Sequence, residues 1–327
     1  MSVAEFFSRY GLFLVEFLSV LILFAVLFGV VVIASRRGIS AQPGYSITKL
    51  NERFEETRNA MRAAVLDKAQ SKRLRKERKR ELAAAKKAAE SRQRVFVIDF
   101  KGDLRASATA SLREEVSAVL AIAEQRDAIV VRLENAGGTV HEHGLAASQL
   151  ARIKARGLDL TIAVDKVAAS GGYLMACVAD RIVAAPFAIV GSIGVLAQLP
   201  NFHRWLDAKG VDFEQVTAGR FKRTLTMFGE NTDEGREKLR GELEDIHAMF
   251  KAQIAEHRPQ VDIEAVATGE HWYGMRALEL KLVDALQTSD DYLMGCIESS
   301  DVYLIEYKRR KPLPERVMGG VESLLSQ

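Results

Sequence analysis

Cysteine is scarce in this chain. Its two residues, Cys177 and Cys296 in 327, are too few for a disulfide framework or a four-cysteine zinc site. Both stand in apolar, helix-like stretches and read as core residues. Histidine is sparse too, at six. His141 and His143 flank Glu142, but HEH is not the i,i+4 zinc-binding pattern, and no metal is expected. No internal repeat and no Pro- or Gly-rich linker divides the chain. Net charge is nearly absent, +3 from 46 basic and 43 acidic residues. With 48% hydrophobic and 27% charged residues, the chain is neither disordered nor a multi-span transporter.

What charge and hydrophobicity there is lies unevenly. Residues 66–94 carry twelve Lys/Arg and four Asp/Glu, an excess of +8, so the remainder sums to −5 (3 − 8). Between Glu16 and Arg36 run nineteen uncharged, mostly apolar residues, Phe17 to Ser35. As a helix they reach about 28 Å, the hydrocarbon thickness of a bilayer. The apolar character starts at Leu12, so one transmembrane helix is expected over about 12–35. A cleaved signal peptide is the weaker reading, because Arg36 and Arg37 follow directly where small residues should mark cleavage. Downstream, Ile47, Leu50, Phe54, Met61 and Val65 form one helical stripe. The basic run after it is rich in helix formers. It reads as a solvated helical stalk, or as a helix touching anionic lipid or a second helix. It lacks the aromatic residues that stack bases, so nucleic acid is not an expected partner.

From Arg94 the pattern becomes alternating. VFVIDF (95–100), AIVVRL (128–133), DLTIAV (159–164) and RIVAA (181–185) read as strands. Residues 109–125 and 141–157 read as helices, the second closed by a glycine, and a short helix opens at Ser170. VDFEQV (211–216) is strand-like. The apolar run Ile182–Ala197 contains Pro186, Gly191 and Gly194 and reads as buried sheet rather than as a span. This alternation predicts an α/β domain with a largely parallel sheet, whose sites form at the carboxyl ends of the strands.

Two of those ends carry glycine-rich turns. In ENAGGTV, Gly137 and Gly138 let backbone approach a ligand and point N–H groups at an anion, or simply make a turn. In DKVAASGGYLMACVAD, Ser170 opens a helix. It is either an N-cap or a nucleophile whose oxyanion would be held by the Gly171 N–H and the helix dipole. A serine nucleophile needs a base, and none of the histidines stands in a triad context. A lysine serves only when burial lowers its pKa from about 10.4. Lys222, in AGRFKRTLT, is one candidate, and on spacing alone also an ordinary surface lysine.

AASGGY, VGSIGV (190–195), the turn with Lys222 and NAGG together resemble the signal peptide peptidase A family of membrane-bound serine peptidases. FKRTLTMFGENTDEGREK, GLAASQL, TGEHWYG and the anchor-plus-basic N-terminus are similar to its SohB branch, over essentially the whole chain. The resemblance implies a Clp protease/crotonase-like fold of repeated ββα units. It implies a peptidase domain over 94–327, behind an anchor and basic helical region over 1–93. It makes Ser170 the nucleophile, Lys222 the general base 52 residues on (222 − 170), and Ser192 the residue orienting the lysine. Gly137 or Gly138, with Gly171, would form the oxyanion hole. No cofactor is implied. Partners would be apolar peptides, the bilayer and further copies of the chain, because serine and lysine meet across a domain or subunit boundary in the family. The family location is the bacterial inner membrane with a periplasmic active domain, whereas the Arg36/Arg37 flank favours the cytoplasmic side. Two positions depart from the family pattern. Ala136 replaces a usual proline. Lys281 stands where glycine is common and would be strained by about a kcal/mol at positive φ. An inactive membrane scaffold and an acyl-CoA-type enzyme on the same fold are the alternatives.

Overall fold

The computed structural model describes residues 44–66 and 92–308, with positions 13, 17–24 and 70. Most of the expected membrane span and most of the basic run lie outside the described residues. Among the described residues no helix is long and apolar enough to cross a membrane. Positions 17–24 are helical with exposed apolar side chains. Ser46–Glu306 forms one compact unit. In the other unit, the rings of Tyr45 and Tyr307 lie 5.1 Å apart.

The chain runs β1 (Gly44–Lys49), α1 (Leu50–Val65), β2 (Arg94–Lys101), α2 (Thr109–Ile122), β3 (Ala128–Glu134), α3 (Val140–Ala155), β4 (Asp159–Val164), β5 (Val167–Ala169) and α4 (Gly171–Ala176). It continues with β6 (Arg181–Ala184), β7 (Ile189–Gly191), α5 (His203–Asp207), α6 (Asp233–His257), α7 (Ile263–Val266), β8 (His271–Tyr273), α8 (Gly274–Glu279), β9 (Ala285–Leu286), α9 (Ser289–Ser299) and β10 (Asp301–Lys308). Seven strands form the main sheet in the order β1-β10-β2-β3-β4-β6-β9, and β5-β7-β8 form a second, smaller one. From β10 to β9 every neighbouring pair is parallel.

A parallel sheet needs cover on both faces, and its strands are apolar on both. Phe96, Ile98 and Phe100 of β2, with Ile129, Val131 and Leu133 of β3, pack into the core shared with α2, α3 and α4. The alternate residues Val95, Val97 and Val130 face Leu50 of α1, Leu293 of α9 and Val302. The period-2 alternation of a strand thus feeds two separate cores. Ile47 was expected on the same helical stripe as Leu50, but it lies on β1. Only the start of that stripe is covered: Leu50 is buried, whereas Met61 and Val65 are exposed. Helix α3 ends as its sequence predicts. Gly157, at φ +70°, donates its N–H to Lys154 O at 2.9 Å, a conformation glycine takes without Cβ strain.

After β3, β4 and β6 the chain makes the same move, leaving the main sheet for the second layer. Asn135 makes an isolated parallel bridge with Ala168 of β5, and β5 pairs in parallel with β7. Each step from one layer to the other precedes a helix or a turn, which is the ββα repeat. It also sets three turns side by side at the carboxyl ends of adjacent strands: 135–138, 169–171 and 191–192.

Candidate active site

Backbone hydrogen bonds lock the three turns together. Ala169 N–H donates to Asn135 O at 3.0 Å, and Ser170 N–H donates to Gly191 O at 2.8 Å. Ser170 sits between β5 and α4 at φ 52°, ψ −120°. A non-glycine residue pays roughly 1–3 kcal/mol for such a backbone, a strain that clusters at functional sites. Its position is that of an N-cap, yet its side chain makes no capping hydrogen bond. The hydroxyl is therefore not used as a helix cap, which removes the simplest structural reason for a serine here.

Close approach explains the glycines. A Cβ on Gly172 would lie 2.1 Å from Asn135 O, and one on Gly171 2.5 Å from His143 Cγ. Gly137, at φ +90°, would place a Cβ 2.7 Å from that of Ser170. Gly137 N–H donates to Asn135 Oδ1 at 2.9 Å, so of the two expected glycines Gly138 is the one left as a donor. The Gly138 N–H, and the Gly171 N–H on the first residue of α4, have no hydrogen-bond partner among the described residues. Both stand beside Ser170 in the wall of one cavity.

That cavity has a volume of about 1400 Å³ and is bounded by the glycine turns, α3 and α6. Val140, Leu174, Leu196, Ile246 and Phe250 make much of its wall apolar. His247 also lines it, with Nε2 buried and without a partner among the described residues. Ser192 lines the same cavity, at φ 52°, with its N–H donated to Glu270 O at 2.7 Å. The chain thus brings Ser170, Ser192, Gly137, Gly138 and Gly171 together.

Lys222 is not among them. It does not line the cavity. It lies in a turn in which its N–H donates to Gly219 O at 3.1 Å, within the run 207–223 that is exposed throughout. The run is tied off at its base. Asn201 Nδ2 donates to Thr226 O at 2.9 Å and Gly229 O at 3.0 Å, and the rings of Phe202 and Phe228 stack. The expected strand over 211–216 is absent. A strand exists only by pairing, and neither sheet gives this segment a neighbour.

Two residues near the site were not singled out by sequence reasoning. Asn135 is buried beneath the glycine turn, and His143 is fully buried within α3. A histidine two residues from the exposed His141 carries no periodic signal that separates the two. Cys177, on the buried side of α4, is no rival nucleophile. Burial pushes its thiol up to about 12, which keeps it protonated. No group of three or more potential metal ligands occurs among the described residues.

Residues 5–150 match the model for the N-terminal part of peptidase family S49, and residues 152–302 the model for peptidase family S49 itself. The probable protease SohB of Haemophilus influenzae is 44% identical over 321 residues, covering 94% of this chain and 91% of that protein. This chain belongs to peptidase family S49. A probable protease SohB of Buchnera aphidicola is 52% identical over 237 residues, covering 72% of this chain and 70% of the relative. Among solved structures, the 1510-N membrane-bound stomatin-specific protease aligns with TM-score 0.42 at 12% identity, over 63% of this chain and 84% of that one. A likeness of that size carries no argument. The α/β fold with its parallel sheet stands on the strand pairing, and the peptidase assignment on the family.

Proposed function

We propose that this S49 peptidase is a serine endopeptidase in which Ser170 of one subunit is paired with Lys222 of another. The observation that carries the reading is the state of Ser170. Its hydroxyl is free of any capping bond, at a strained turn, beside two unengaged backbone N–H groups in the wall of a large cavity. That is what acyl transfer needs: a nucleophile with preorganised donors where negative charge develops.

Lysine is a base only when neutral, and removal from water favours its neutral form. The exposed run 207–223 can supply Lys222 to the cavity of a neighbouring subunit, so a homo-oligomer completes each site. Neutral Lys222 takes the Ser170 proton as the hydroxyl oxygen attacks the peptide carbonyl carbon. Gly138 and Gly171 N–H groups hold the oxyanion. The amine leaves with the proton, and water then hydrolyses the ester to free Ser170. Ser192 orients the lysine. No metal or cofactor takes part. The apolar wall favours hydrophobic peptides, such as signal peptide remnants or fragments of membrane proteins, as substrates. Residues 12–35 anchor the enzyme in the bacterial inner membrane, with the active domain in the periplasm.

Labelling membranes with a fluorophosphonate tests the reading. Ser170 should be modified in the native chain, and the label should be lost in Ser170→Ala and strongly reduced in Lys222→Ala. Cleavage of a hydrophobic peptide by Ser170→Ala at the native rate would sink it.

A further inference from the structure

The loop that carries the oxyanion donor Gly138 lacks the proline that would preset it, since Ala136 occupies that place. Yet the loop is held. Asn135, 1% exposed, bonds on every side. Its N–H donates to Val167 O at 2.8 Å and its carbonyl accepts from Ala169 N–H at 3.0 Å. Its side-chain Oδ1 accepts from Gly137 N–H at 2.9 Å, and its Nδ2 lies 3.3 Å from Met175 Sδ. The same Oδ1 lies 3.2 Å from Nε2 of His143, which is 0% exposed. The other ring nitrogen, Nδ1, lies 2.9 Å from Thr139 O. Both ring nitrogens face acceptor oxygens, and a neutral imidazole has one N–H, so one of the two contacts is a hydrogen bond and the other a close approach. The ring lies between Asn135 and Thr139, with Gly137 and Gly138 between those two residues in sequence. It also touches both donor residues. A Cβ on Gly138 would lie 2.8 Å from His143 Cε1, and one on Gly171 2.5 Å from Cγ.

We propose that Asn135 and His143 are positioning residues that clamp the oxyanion loop and do for it what a proline at 136 would do. Buried polar groups hydrogen-bonded to one another favour a single geometry. A loop free to drift by an ångström loses most of the benefit of a preorganised donor. A proline at 136 would break no hydrogen bond among the described residues. Ala136 N–H makes no hydrogen bond among the described residues, and Asn135 before it is extended in its bridge to Ala168. The inference rests on the serine peptidase reading above.

The test uses the full-length enzyme in membranes. His143→Phe keeps an aromatic ring, somewhat larger than imidazole, and removes both polar contacts. It should lower kcat and the rate of fluorophosphonate labelling of Ser170 by the same factor, about ten- to a hundredfold, with KM within about twofold. Adding Ala136→Pro to that variant should recover most of the loss, which a packing defect under α3 would not allow. Native labelling by His143→Phe overturns the clamp while leaving Ser170 as nucleophile. So does a loss of KM and melting temperature along with kcat that Ala136→Pro fails to restore. Absence of label at Ser170 in the native chain sinks the peptidase reading and the clamp with it. Should His143→Phe fail to fold, His143→Gln retains one donor toward Asn135. It should show a smaller loss of the same kind, and a native rate there also overturns the clamp.

Discussion

Ser170 and Lys222 lie in opposite kinds of structure. The serine is fixed from every side, by β5, by the Gly191 carbonyl and by glycines that admit backbone to within contact distance. The lysine stands in a run whose residues are all exposed, with Val216 at 96% and Phe213 and Phe221 also uncovered. Even the ion pairs differ. Asp127 is buried and takes Arg94 and the backbone N–H groups of Glu124 and Arg94, whereas Arg220 and Glu234 pair on the surface. One half of the proposed dyad is built by the fold of a single chain. The other half is an exposed, partly aromatic run held by few surface contacts, which fits a site completed between subunits.

The sharpest way to break that contrast is genetic mixing. Ser170→Ala and Lys222→Ala should each lower peptide cleavage by a thousandfold or more, the scale of losing a nucleophile or its base. Co-expressed, the two inactive chains should recover activity, because a mixed oligomer holds an intact serine facing an intact lysine. No recovery would place both residues in one subunit.

Next in size is Gly172→Ala, which pushes a methyl into Asn135 O. It should cost about 3 kcal/mol or more of stability, read by denaturant unfolding of the chain. In the exposed run, Val216→Ser should change that stability by less than about 0.5 kcal/mol and instead weaken assembly, measured by sedimentation. Equal effects on unfolding would show that 207–223 is part of the single-chain fold.

Acid should separate the regions as well. Burial works to raise the Asp127 carboxyl, but hydrogen bonds from Arg94 and two backbone N–H groups outweigh it and leave it below the usual carboxylate range. A depressed folded pKa gives stability that is present above the unfolded value, near 3.8, and lost as pH falls through the folded one. Asp127→Ala should cost about 2–3 kcal/mol at neutral pH and shrink the acid-induced loss of stability. Glu234→Ala, removing an exposed pair, should cost about 0–1 kcal/mol. One small effect has the opposite sign. Lys281 lies at φ 61° with its side chain exposed. Lys281→Gly should relieve about 1 kcal/mol of strain, less the extra chain entropy of glycine, for a net gain near 0.5 kcal/mol in thermal unfolding.

The strands of the main sheet were legible because their residues face two cores at once, so VFVIDF, AIVVRL and DLTIAV are apolar almost without interruption. Lys281 stood out only through the family resemblance, as a lysine where glycine is common, and its φ of 61° meets the condition on which strain was expected. The segment 211–216 has the same local signature as a strand and forms none, because pairing depends on what lies alongside. Two strands of the second sheet were hidden for the same reason: β5 and β8 are three residues each, too short for any periodicity, whereas β7 falls in the run Ile182–Ala197 that reads as buried sheet. His143 was hidden because α3 presents it inward and His141 outward, a matter of helix rotation against the glycine turns.

By itself the sequence determined the alternating α/β pattern, the two glycine turns and the serine between them, since these follow from apolar runs, local dihedral needs and residue chemistry. Only the tertiary structure decided that Ser170 is not a cap, that Gly137 N–H is engaged while Gly138 N–H has no partner among the described residues, that Asn135 and His143 pack against the loop, and that Lys222 stands away from the cavity. Each of these depends on which backbone atoms approach within about 3 Å, and that proximity is set by packing across elements far apart in the chain.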